Sequence, residues 1–318
     1  MLTLIRRGAS ASTPETPGPG WVLPTDTLWI DLLNPTREEE LAVERALSVD
    51  LPTQEEMAQI EPSSRLYQED KATFLTATLL SHSQEDRPAG TPVTFVLARG
   101  VLVTLRYAPL KAFTVFAARA ADNRDLTSGA EALLELLDAV VERLAHVLEA
   151  SSAAVQESSN AIFDRPRGGA FEPLLTGLAR TQSVASMARA SLVSLGRLAS
   201  FAALAPEIVA APACQAHLVS LQHDIQSLTE HSGSLSSHIA FLLDAALGLI
   251  NIEQNGIIKF FSVVSVVLMP PTLVASIYGM NFHHIPELSW ALGYPWALGL
   301  MLLTGIGPFL WFKKKGWF

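Results

Sequence analysis

Residues 251–282 read NIEQNGIIKFFSVVSVVLMPPTLVASIYGMNF, and from Phe260 to Ile277 this stretch has no Asp, Glu, Lys, Arg or His. That is about the 18–20 residues needed to cross the hydrocarbon core of a bilayer. A second stretch without such residues runs from Ser289 to Phe312, and Lys313, Lys314 and Lys315 follow it directly. One apolar run is commonly a buried core helix. Two in succession, joined by a short polar link and closed by a basic cluster, read as two membrane spans.

The basic residues set an expected orientation. Lys313–Lys315 flank the second span and Lys259 the start of the first, while the link contains no Lys or Arg. The positive-inside rule puts the C-terminus in the cytoplasm and the link outside. Two spans then return the N-terminal part to the cytoplasm, and "MLTLIRRGASAS" lacks the apolar core of an export signal. The expected location is the cell (inner) membrane, with both termini cytoplasmic.

Hydrophobic residues make up 49% of the chain and charged residues 17%, with mean hydropathy +0.29. The net charge is −9; residues 260–318 contribute +2, which leaves −11 on residues 1–259. An acidic cytoplasmic part disfavours nucleic acid and anionic lipid headgroups as its partners and suits cations. The single cysteine, Cys214, has no disulfide partner in the chain.

Working back toward the N-terminus, Leu218, Leu221, Ile225, Leu228, Leu235, Ile239, Leu242, Ala246 and Leu249 recur at alternating spacings of three and four, with Ser232 the one gap. This is the seam of a helix that packs along another helix. No proline intervenes from Ala213 to Phe260, so residues 213–281 are expected to be one long stalk helix continuing into the first span, about 257–278. Upstream, helices are expected at 110–121, 128–163 and 170–204, within a helical region 108–212. Residues 21–107 read as a small α/β domain. It has a strand at Leu28–Leu32, a helix started by Asn34 as N-cap and Pro35, and a hairpin turned at Arg99-Gly100. Residues 1–20, rich in Pro, Gly, Ser and Thr after residue 8, read as a flexible arm. The remainder divides into an external loop 282–289, a second span 290–312 and a cytoplasmic tail 313–318.

The same three-and-four rhythm started at Asn255 picks out Asn255, Ile258, Ser262, Ser265, Met269, Thr272, Ser276 and Gly279. Almost every hydroxyl of the first span lies on that face. Lipid cannot satisfy a polar stripe, so it faces protein or water. Small and hydroxyl residues also mediate close helix packing, and both readings stand on the pattern alone. The pore reading gains from the stripe's ends, where Asp244, Asn251 and Asn255 lie at one mouth and Asn281 at the other. Oxygen donors suit a hard cation, and Ile258 and Met269 would be apolar narrow points. One or two helices enclose no lumen, so a pore requires several copies around an axis.

Tyr278-Gly279-Met280-Asn281, after "MPPT" and before "PEL", "GYP" and "KKKGWF", closely resembles the CorA family of divalent-cation transport proteins. The match is strong over about 244–318, with "SSRLYQED" at 63–70 a weaker echo. The resemblance implies a funnel-shaped homopentamer with an α+β cytoplasmic domain, a long helical stalk and two C-terminal transmembrane helices. It implies passive influx of Mg²⁺, with Co²⁺ and Ni²⁺ as further substrates, and cytoplasmic Mg²⁺ that holds the pore closed. By position, Gly279, Met280 and Asn281 form the outer selectivity ring, Asn255 an inner ring and Asp244 an acidic ring. Ile258, Phe261 and Met269 form the apolar gate, and Thr272 a polar pore position. Metal contacts thus fall on Asn281, Asn255 and Asp244; the stalk acids Asp224 and Glu230 are candidates for regulatory metal that do not align with the family, and both also read as solvated helix acids. Where the family commonly has an acid after the signature, this chain has His283-His284; Glu287 is retained. Imidazoles favour softer ions.

Two rivals remain. One is zinc or other divalent-cation efflux within the same superfamily; the other is a membrane-anchored coiled-coil sensor or scaffold that conducts nothing. An enzyme is disfavoured, because no metal-ligand spacing, GxSxG or phosphate loop occurs and His223, His231 and His238 read as surface positions. No organic cofactor is expected; the partners expected are divalent cations, lipid and further copies of the chain.

Overall fold

Leu2, Leu4 and Ile5 are buried because the chain opens with a strand, β1 (Leu2–Arg6), and not with a flexible arm. The computed structural model describes all residues except 8–12, 19, 60, 83–87, 123–125, 165–170, 282, 284, 317 and 318. Within the expected arm, Thr13–Glu15 forms a second strand, β2, antiparallel to β1. Composition misled here: the polar residues that follow in the sequence hid the apolar strand ahead of them. Glu15 fastens the segment, accepting from Arg6 and from the Trp21 indole, both at 2.8 Å.

The third strand, β3 (Thr27–Leu33), leads to α1 (Arg37–Leu47). Thr36 caps this helix, not Asn34, which takes a left-handed conformation with φ of 44°. The reason is a capping box: the Thr36 hydroxyl accepts from the Glu39 N–H at 3.3 Å, and Glu39 accepts from the Thr36 N–H at 2.9 Å. Short helices α2 (Gln54–Ala58) and α3 (Pro62–Arg65) precede β4 (Leu66–Glu69) and β5 (Ala72–Ser81). Strands β6 (Ala89–Ala98) and β7 (Val101–Arg106) then form the expected hairpin. Arg99 and Gly100 turn it with φ of 53° and 79°, the double left-handed geometry that matches strand twist.

The seven strands form one mixed sheet in the order β2-β1-β3-β7-β6-β5-β4, parallel only where β3 meets β7. Alternation splits the central strands β3 and β7 between two cores. Ile30, Leu32, Val103 and Leu105 pack with α1 and α2 residues Val43, Leu47 and Met57. The opposite face carries Trp29, Phe95, Thr104 and Arg106 toward α4 (Lys111–Asp122), whose Phe113 and Phe116 lie 6.2 and 5.0 Å from the Trp29 ring. Within this second core, Arg106 donates to both oxygens of Asp31, at 3.0 and 2.7 Å, and to the Ala108 carbonyl at 3.0 Å. Asp31 also accepts from Thr104, which in turn accepts from the Trp29 indole. A buried charge is tolerable only when paired and hydrogen-bonded in this way.

Helix α5 (Gly129–Phe163) starts against the β6–β7 turn, where Gly129 donates to the Gly100 carbonyl at 2.8 Å. A Cβ on Gly129 would lie 2.5 Å from the Leu102 nitrogen, so only glycine permits the approach. Helix α6 (Glu172–Ala202) and the short α7 (Pro206–Val209) lead to α8, which runs from Pro212 to Tyr278.

Two units are recognised. One comprises Met1–Asp164 with Glu172–Leu243; the other comprises Arg165–Phe171 with Asp244–Phe318. In the first, the α8 seam packs inside its own chain. Leu218, Leu221, Ile225, Leu235, Ile239 and Leu242 are buried. Ser232, the polar gap, is fully buried and donates to the α6 Ala185 carbonyl at 3.1 Å. His217 pairs with α5 Asp138, and His231 lies 3.3 Å from the Ser152 hydroxyl. The seam is therefore occupied by α5 and α6. Burial, with Glu131 adding to it, pushes the Cys214 thiol up, so it is a poor nucleophile at neutral pH.

Candidate functional site

In the second unit, α8 continues through Asn255 to Tyr278 and is followed by a 3-10 turn, Pro286–Ser289, and by α9 (Gly293–Lys314). Both helices are apolar and long enough to cross a membrane, yet only 6% and 17% of their most apolar windows are buried. A core helix of a soluble protein would be mostly covered. Leu268, Leu273, Leu302 and Leu303 are each more than half exposed, a surface that lipid would solvate.

Helical geometry sorts the α8 residues by face, at about 100° per residue. Val263 is buried, and Val267, Pro270, Pro271, Val274 and Tyr278 are half-buried. These share one side. Asn255, Ile258, Ser265, Met269, Thr272, Ser276 and Gly279 are exposed and lie roughly opposite. Phe261 and Ser262, both exposed, flank the centre of that stripe by about 50° on either side. The rhythm selected Ser262 and the resemblance selected Phe261; on the helix both border the same face.

The shielded side meets α9 at Gly305, where an added Cβ would lie 3.3 Å from Pro271 Cγ and 3.5 Å from the Val267 carbonyl oxygen. Pro271 cannot donate to that carbonyl as an ordinary helical residue would, and the bare Gly305 backbone lets α9 come against the resulting gap. The polar stripe is thus not what packs α8 on α9. Thr272 returns its hydroxyl to the Leu268 carbonyl at 2.8 Å. The hydroxyls of Ser262, Ser265 and Ser276 have no protein partner among the described residues.

Helix α8 ends at Tyr278, three residues short of the expected 281, as the ladder tightens and the Met280 N–H bonds the Ile277 carbonyl at 3.2 Å. Gly279, Met280 and Asn281 consequently sit beyond the helix and are exposed. His283 is exposed and Glu287 half-buried; His284 lies outside the described residues. Helix α9 begins at Gly293, later than the expected 290, because the 3-10 turn intervenes and the Trp290 N–H bonds the Glu287 carbonyl at 3.3 Å. A Cβ on Gly293 would lie 2.2 Å from the Glu287 carbonyl oxygen. Gly293→Ala therefore displaces the turn or the first turn of α9. A cost of about 1–3 kcal/mol is expected, read as a lower melting temperature of the purified protein; an unchanged melt would contradict this geometry.

Lys313 and Lys314 fill the last turn of α9, and the Lys315 ammonium lies 4.8 Å over the Trp311 ring. Lys259 is exposed. Asp224, Glu230 and Asp244 are exposed on α8, Glu230 accepting from Gln226 at 3.0 Å. Among the described residues, no cluster of His, Cys, Asp or Glu within the chain could hold a metal ion. Sequence reasoning missed Gly293 and Gly305. Neither carries a signal beyond being glycine in an apolar run.

Residues 25–314 match the family described as CorA-like Mg²⁺ transporter protein. The magnesium transport protein CorA of Escherichia coli (strain K12) is 37% identical over 293 residues, covering 92% of each chain, and that of Salmonella typhimurium is equally similar. Among solved structures, the CorA magnesium transporter of Methanocaldococcus jannaschii aligns over 100% of this chain and 99% of its own, with a TM-score of 0.80 at 16% identity. The ZntB cytoplasmic domain of Vibrio parahaemolyticus aligns over 79% of this chain and 99% of its own, with a TM-score of 0.54 at 12% identity. Likeness at such identities speaks for the fold alone. The family match and the 37% relatives go further: this chain belongs to the CorA-like Mg²⁺ transporter family.

Proposed function

We propose that the chain conducts hydrated Mg²⁺ passively into the cytoplasm through a homopentamer whose pore is walled by the polar stripe of α8. The carrying observation is that this stripe lies opposite the α9-facing side, with three serine hydroxyls unpartnered. Family membership makes the chain an ion transporter and not an enzyme. In this reading Gly279, Met280 and Asn281 ring the outer mouth, Asn255 and Asp244 the inner one, and Ile258, Phe261 and Met269 form the apolar constriction. Mg²⁺ dehydrates reluctantly, so a collar of amide and backbone oxygens that bonds its water shell suits conduction. A carboxylate collar would bind too tightly for release. The membrane potential supplies about 4.6 kcal/mol per 100 mV for a dication. Both termini lie in the cytoplasm, Lys259 and Lys313–Lys315 sit at the cytoplasmic interface, and Mg²⁺ at Asp244, with Asp224 and Glu230 as further ligands, holds the pore closed.

Mg²⁺ uptake into proteoliposomes under an imposed inside-negative potential tests this. Uptake that falls when Mg²⁺ is present on the face bearing the large domain is expected. Vesicles that stay tight to Mg²⁺, or a purified protein that is monomeric, would sink it. The rival reading, efflux of zinc or another divalent cation, is separated from influx by flux direction under a set potential.

Co²⁺ and Ni²⁺ pass by the same route, and His283 with His284 tilts selection toward them, since imidazole is a good ligand for Ni²⁺ and a poor one for Mg²⁺. Replacing both by Glu is expected to lower the Ni²⁺/Mg²⁺ flux ratio several-fold. An unchanged ratio would remove the histidines from the selectivity argument.

A further inference from the structure

We propose that Arg65, at the end of α3, and Arg197, on α6, hold a phosphate group, free or carried on a small monoester, beside the edge of β5. Strand β4 pairs with β5 from Ala72 to Leu75 and stops there. Further along, at Thr78, α6 takes over that edge, where the Ser194 hydroxyl accepts from the Thr78 N–H at 2.9 Å. The Thr78 hydroxyl accepts from Arg65 Nη2 at 2.6 Å. Arg197 stands one turn beyond Ser194 on α6, so the two share a face.

Everything at this cluster is left with hydrogens to donate. Arg65 is half-buried, and its Nε is buried with no partner among the described residues. The Ser194 and Thr78 hydroxyls each accept one bond, and their own hydrogens find no acceptor among the described residues. No carboxylate pairs with either guanidinium among the described residues, although the chain has 31 acids against 22 Lys and Arg. Burial and, after it, the charge of Arg197 push the Arg65 guanidinium below its ordinary range. A guanidinium stays protonated all the same, so two like charges stand near each other unrelieved. A buried orphan N–H and a like-charge pair are both costly. One tetrahedral oxyanion between the guanidiniums removes both costs, and arginine forks fit phosphate oxygens in pairs. The ion pathway proposed above uses none of these residues, so the site stands or falls independently of it.

Calorimetric titration of the full chain in phosphatidylcholine nanodiscs tests the proposal, with inorganic phosphate and glycerol 3-phosphate as probes. Saturable binding of one phosphate group per chain is expected, and the tighter probe shows whether the group arrives free or esterified. Arg197→Glu, at an exposed position, puts a carboxylate beside Arg65. It is expected to weaken binding about ten-fold or more, the worth of one charge-assisted hydrogen bond. Arg189→Glu, also exposed, makes the same change in net charge roughly 12 Å earlier along α6. That is beyond the screening length of about 8 Å at physiological salt, so affinity is expected to hold. Absence of saturable binding with both probes, an unaffected Arg197→Glu, or an equal loss in Arg189→Glu would each overturn the site.

Discussion

Asn281→Ala is expected to abolish Mg²⁺ uptake into proteoliposomes while leaving the melting temperature and oligomeric state of the protein unchanged. Asn281 is exposed just past the end of α8 and supports no described hydrogen bond of the fold, so its loss has little to destabilise. Its amide is the side-chain oxygen of the outer collar in the proposed pore, and alanine offers the ion's water shell nothing in exchange. Asn281→Asp separates chemistry from shape. A ring of carboxylates binds the dication more strongly and releases it slowly, so flux falls while apparent affinity rises. Unchanged flux in Asn281→Ala would remove Asn281 from the outer collar, whereas absence of uptake by the unsubstituted chain would favour a non-conducting scaffold.

The second large effect is on stability. Asp31→Ala is expected to destabilise the first unit by roughly 3–5 kcal/mol, because it leaves the Arg106 guanidinium buried without its counter-charge. Arg106 is only 5% exposed and would keep the Ala108 carbonyl and the face of Phe113, 4.7 Å away. For a unit of this size the loss corresponds to a drop of roughly 10 °C in melting temperature. Thr104 and Trp29 lose the end of their hydrogen-bond chain as well. The double variant Asp31→Leu/Arg106→Met, which removes both charges, is expected to recover much of the loss. Equal destabilisation by single and double variants would mean that packing, and not the uncompensated charge, sets the cost.

Much of the first unit was legible in the chain because its signals are local. The hairpin at Arg99-Gly100, the strand around Trp29 and the helices now seen as α4, α5 and α6 follow from turn chemistry and periodicity. The errors are equally physical. Asn34 and Pro35 looked like a helix start, but a threonine with a glutamate three residues later makes two reciprocal hydrogen bonds where asparagine would make one. The opening strand was lost under the polar composition of its neighbours, since pairing with β3 lies some 25 residues away in sequence.

By itself the sequence determined the two spans, the polar stripe and the signature at its end, because hydrophobic run length and a three-and-four rhythm are properties of consecutive residues. The tertiary structure decided which surfaces those patterns meet. It gave the α8 seam to α5 and α6, turned the stripe away from α9, and used Gly293 and Gly305 as points of close backbone approach. Such choices depend on which backbones come within a few ångströms of one another, and residues distant in the chain write no joint pattern in a single sequence.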